Sequence, residues 1–91
     1  MDIDAIKKSI EEIEKLKSQM YSLCVEELDS IVQNNIQNEK RIDKLFDRLL
    51  DFYYDGKFME LFWKLIKHVE SYDRGLGAQY RRIEELLNEG N

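Results

Sequence analysis

The stretch IDAIKKSIEEIEKLKSQMYSL, residues 3–23, decides the fold. Isoleucines fall at Ile3, Ile6, Ile10 and Ile13, and Leu16, Met20 and Leu23 continue the stripe. The 3, 4, 3 spacing is the seam of a helix that packs on another helix. The stripe drifts with a period nearer 3.5 than 3.6, as a supercoiled seam requires. From Tyr21 onward it widens to take in Cys24, Val25, Leu28, Ile31 and Val32. A narrow stripe faces one helix, whereas a wide one faces a globular core. The sequence therefore predicts one helix from Asp2 or Asp4 to about Asn34, roughly 45 Å long. Residues 1–23 read as a coiled-coil arm and residues 24–88 as a helical bundle, within a single domain.

No proline interrupts the chain, and its first glycine is Gly56. The polar, uncharged run from Gln33 to Asn38 predicts a turn, because asparagine favours helix ends over helix interiors. Its alternative is uninterrupted helix to Tyr54. A second helix is expected from about Asn38 to Tyr54, burying Ile42, Leu45, Phe46, Leu49, Phe52 and Tyr53. Asp55-Gly56 would end it through a glycine at positive φ. A third helix, from about Lys57 to Tyr72, buries Phe58, Leu61, Phe62, Leu65, Ile66 and Val69. Residues 73–77 read as a two-glycine loop. A fourth helix, from about Ala78 to Leu87, would bury Tyr80, Ile83, Leu86 and Leu87. The expected class is all-α with three or four helices, the last ones clustered on the C-terminal half of the first.

The net charge is −5, from 19 acids and 14 bases, and no segment is basic. That disfavours direct binding to a nucleic-acid backbone. Charged residues form 36% of the chain and apolar ones 43%. High charge with a preserved apolar period means ordered helices with solvated faces. Cys24 is the only cysteine, so an internal disulfide is impossible and a reducing, cytoplasmic setting is expected. The acidic N-terminus lacks the apolar core of a signal peptide, and no run is long enough for a membrane span.

Three patterns invite a functional reading. The first is the seam itself, with Ile3, Ile6, Ile10, Ile13 and Met20 expected to meet their counterparts in a homodimer. The alternative is that helices of the same chain cover them. Lys17 lies in line with the seam and would face its twin in a parallel pair, which favours an antiparallel one. The second is a ladder of acids at Glu39, Asp43, Asp47, Asp51 and Asp55. It reads either as a solvated face neutralised by Lys40, Lys44 and Arg48, or as a phosphate mimic that occupies a basic nucleic-acid site. The third is an aromatic shoulder on the third helix. Trp63 lies roughly 130° from the centre of the buried stripe, beside Met59, with Ile66 bridging and Tyr54 at the preceding turn. Those four form the expected surface for a protein partner.

His68, with Lys67 beside it, reads as a solvated residue. Phosphotransfer is a minor alternative, since Glu70 and Tyr72 stand where small and basic residues are wanted. Gly75-Leu76-Gly77 is too short to cradle phosphate and follows no strand. No nucleophile has a supporting base in the sequence, so neither catalysis nor a cofactor or metal is expected.

The run Leu50-Asp51-Phe52-Tyr53-Tyr54-Asp55-Gly56-Lys57-Phe58-Met59-Glu60-Leu61, followed by Lys64-Leu65-Ile66-Lys67-His68-Val69, resembles small helical proteins of Gram-positive conjugative elements and phages. The resemblance implies an accessory protein of a mobile element, one that regulates the element or blocks a host defence such as a CRISPR nuclease. It carries no functional residues across. The reading that emerges is a non-enzymatic, homodimeric protein-interaction module, with an acidic inhibitor of a defence nuclease as the alternative.

Overall fold

The computed structural model describes residues 2–89, with side chains described through residue 87. They form four helices and, among the described residues, no strand: α1 (Ile3–Gln33), α2 (Glu39–Asp51), α3 (Gly56–Glu70) and α4 (Arg74–Glu89).

Each helix start is set by a side chain that satisfies an orphan N–H. The Asp2 carboxylate accepts from the Asp4 amide at 3.1 Å, Asn38 from Arg41 at 3.1 Å, and Asp55 from Lys57 at 2.9 Å. Asp73 does the same for Leu76 at 3.0 Å. α1 ends in a Schellman motif. The Ile36 amide reaches back to the Ile31 carbonyl at 2.9 Å and the Asn35 amide to Val32 at 3.2 Å. Asn35 takes the required left-handed conformation, with φ at 48°. Ile36 then packs against the core. The turn expected from the asparagines is therefore real, and a helix continuing to Tyr54 is not.

α3 is the hub, packing against α1, α2 and α4. It buries Phe58, Leu61, Phe62, Leu65, Ile66 and Val69. Cys24, Leu28 and Ile31 close on it from α1, and Ile42, Leu45, Phe46 and Leu49 from α2. The Phe46 and Phe62 rings meet edge to face at 4.5 Å between centroids, and Tyr53 meets Phe62 at 5.7 Å. Burial pushes the Cys24 thiol up from its ordinary value, as expected of a structural thiol.

The structure departs from expectation at three boundaries. α2 stops at Asp51, and Phe52-Tyr53-Tyr54 form the turn, so Tyr53 is buried from outside the helix. Gly56 does not take positive φ; it opens α3. Residues 74–77, expected as loop, are the first turn of α4. Asp73 caps that turn so closely to the end of α3 that only Ser71, Tyr72 and Asp73 connect the two helices.

This tight reversal brings Gly77 against α3. A β-carbon there would lie 2.4 Å from Glu70 Cγ and 3.2 Å from Glu70 Cα. The early start also turns α4 from its expected face. Gly77, Tyr80 and Glu84 are buried, whereas Ile83, Leu86 and Leu87 keep 38–55% of their surface. The Tyr53 hydroxyl donates to the buried Glu84 carboxylate at 2.9 Å.

His68 is not solvated but buried. Its Nε2 lies 2.8 Å from the Ile36 carbonyl, tying α3 to the turn between α1 and α2.

Gly77→Ala should therefore overpack the α3–α4 contact and cost about 1–3 kcal/mol. Gly75→Ala meets only the Asp73 carboxylate, at an ordinary 3.5 Å. It should be neutral or stabilising, because alanine is the better helix former. Thermal melts of the two variants beside the parent check this; equal melting temperatures would contradict it.

Candidate functional site

α1 divides into two regimes. Over Cys24–Ile31 it is core, and the first contacts with the body appear at Lys17, Met20 and Tyr21. Before that point it stands alone. Ile3, Ile6, Ile10, Ile13 and Leu16 expose between 41% and 67% of their surface. These residues and the buried Cys24, Leu28 and Ile31 lie on one continuous face of the same helix. The molecule measures 53 × 31 × 18 Å, with a radius of gyration of 15.5 Å. A compact chain of this length would have a radius near 12 Å.

The five residues expected in the self-association seam are thus split. Ile3, Ile6, Ile10 and Ile13 stand bare, while Met20 is half-buried against the core. Leu16 belongs with the bare set, as its place in the stripe implied. Lys17 does not point out to await a twin. Its ammonium is 2.6 Å from the Asp55 carboxylate and lies 5.2 Å from the centroid of the Tyr54 ring. These contacts fix the base of the arm to the α2–α3 turn. The Lys17 hydrogen bond and the Lys57 amide hold the Asp55 carboxyl below its usual value, and the Asp55 contact raises that of Lys17.

The aromatic shoulder is less of a surface than expected. Ile66 is fully buried and belongs to the core, because α3 is enclosed on three sides. Trp63 is half-buried and packs on the core, with the Arg81 guanidinium 5.5 Å above its ring. Arg81 is itself held by Glu70 at 2.5 Å. Met59 is half-buried. Tyr54 is 75% exposed, but it stands at the arm's base rather than beside Trp63. The quartet is not one patch.

Nor is the acid ladder continuous. Asp55 leaves the α2 register to cap α3 and bind Lys17. Asp43 accepts a hydrogen bond from the Tyr80 hydroxyl. Glu39, Asp47 and Asp51 remain exposed on α2. On the opposite flank of that helix, Arg41 holds Glu27 of α1 at 2.5 Å and Ser30 at 3.0 Å. Burial and the Asp43 contact push the Tyr80 hydroxyl well above the ordinary tyrosine range.

Among the described residues, no group of three or more His, Cys, Asp and Glu side chains is placed to hold a metal ion, and no helix is long and apolar enough to cross a membrane. No protein-family model, curated protein or solved structure matches the chain.

The Lys17–Asp55 contact has a signed pH dependence. A depressed carboxyl stabilises the fold above its unfolded pKa, near 4, and loses that contribution as pH falls through the lower folded value. The lysine side of the pair fails only as pH rises above its own unfolded value, near 10.5. Asp55→Asn keeps an oxygen to cap α3 but removes the charge. Its melting temperature should lie below the parent's at neutral pH and converge with it as the pH falls through the depressed carboxyl value. A constant gap across the acid limb would contradict the assignment.

Proposed function

We propose that this chain is a non-enzymatic protein-interaction module of the cytoplasm, and that α1 is its self-association element. The bare isoleucine face of the arm carries this reading. Burying an isoleucine side chain gains roughly 1.5–3 kcal/mol. Leaving four of them in water forgoes a sum comparable to the whole stability of a small domain. An isolated helical segment of this length is also marginal in water. A second copy supplies what the body of the same chain is too short to provide.

The half-buried Met59 and Trp63 of α3 offer a further contact for a protein partner. The inhibitor reading is weaker, because two of the five carboxylates it needs are engaged within the fold. An accessory role in a mobile element accords with a small module of this kind. The single, buried cysteine accords with a reducing compartment.

Sedimentation at tens of micromolar should give a dimer, and Ile6→Asp with Ile13→Asp should give a monomer with a correctly folded body. Both positions are exposed, so the substitutions leave the core intact. A monomeric parent would overturn the self-association reading. Trp63→Ala provides the matching control for capture of a heterologous partner: loss of capture without loss of dimer supports the α3 surface, and unchanged capture removes it.

A further inference from the structure

The charges of the arm fall in blocks. Asp2 and Asp4 are followed by Lys7 and Lys8, then by Glu11, Glu12 and Glu14, then by Lys15 and Lys17. Read backwards, this order inverts its own sign. On the helix, however, Asp4, Lys8, Glu11 and Lys15 lie on the face away from the isoleucines, and Lys17 is held by Asp55, so these charges do not set the register. The apolar stripe survives the same reversal, with Ile3 beside Leu16 of a second copy and Ile6 beside its Ile13.

Geometry selects the orientation. The body sits on the very face of α1 that carries the isoleucines, starting at Lys17 and Met20. A parallel helix running along that face would collide with α3 and the α2–α3 turn. An antiparallel one reaches the body with its N-terminus and stops. The bare stretch from Ile3 to Leu16 is roughly 21 Å long, so two such stretches cover one another without overhang.

We infer that the arm pairs with the arm of a second copy in antiparallel orientation, giving a dumbbell with one helical body at each end. The inference rests on the self-association reading and adds its geometry. With five side chains exposed at 41–67% on each arm, pairing withdraws roughly 1,000 Å² in total, the lower limit for a specific interface. The dimer is accordingly reversible and concentration-dependent. Tyr54, 75% exposed beside Lys17, stands where the tip of the second arm arrives.

Small-angle X-ray scattering from the unmodified protein, with mass from light scattering on the same sample, tests the geometry. Two molecules 53 Å long that overlap by about 21 Å have a maximum dimension of about 85 Å. A dimeric mass with that dimension supports the inference. A dimeric mass with a dimension near 55–60 Å means side-by-side bodies; it overturns the antiparallel arrangement while leaving self-association standing. A monomeric mass at tens of micromolar overturns both. As an orthogonal measure, spin labels at Glu26→Cys, on an otherwise cysteine-free Cys24→Ala background, should lie about 50 Å apart across the dumbbell. A separation under 30 Å would contradict it.

Discussion

One length mismatch governs this molecule. The apolar face of α1 runs for 31 residues, and the α2–α3 hairpin covers only its C-terminal half. α2 has 13 residues and α3 has 15. Neither can reach the tip of a helix twice as long. Everything unusual in the architecture follows: the elongated shape, the salt bridge at the arm's base, and an isoleucine seam without an internal partner. A body that could close over the arm would need helices about as long as α1 itself.

The body is built on different economics. α3 is surrounded by the other three helices, and its short connections hold it there. The Schellman turn at Asn35 sets the entry to α2, and the buried His68 ring fixes that turn from below by hydrogen bonding the Ile36 carbonyl. Gly77 permits α4 to lie almost in contact with the α3 backbone. α4 in turn brings Tyr80 onto Phe46 and Glu84 onto Tyr53. Polar groups thus lock the outer layer in register, while aromatic and aliphatic side chains fill the centre.

Periodicity made much of this legible. The long first helix, the asparagine turn, and the core faces of α2 and α3 can all be read from residues at 3–4 spacing. What escaped depends on which groups come together in space. Gly75 and Gly77 look like loop punctuation, and nothing local shows that one of them serves a close helix contact. Read as loop, they place the start of α4 too late and aim Ile83, Leu86 and Leu87 at the core in place of Glu84. His68 and Glu84 look like surface residues because their partners, Ile36 and Tyr53, lie more than thirty positions away. Ile66 reads from the sequence both as a core residue of α3 and as the bridge to its shoulder; it is core alone, because α3 is enclosed by three helices. The arm was the most legible feature, because its apolar stripe is local to one helix and needs no distant residue to be read.

Amide hydrogen exchange across a dilution series tests the central claim, that the arm is completed by association. Amides from Lys7 to Leu16 should gain protection as concentration rises from about 1 μM to 100 μM, in proportion to the population of dimer. Those of Leu61 to Val69, inside the body, should stay equally protected throughout. Arm amides protected to the same degree at every concentration, or exchanging freely even at the highest, would contradict the account.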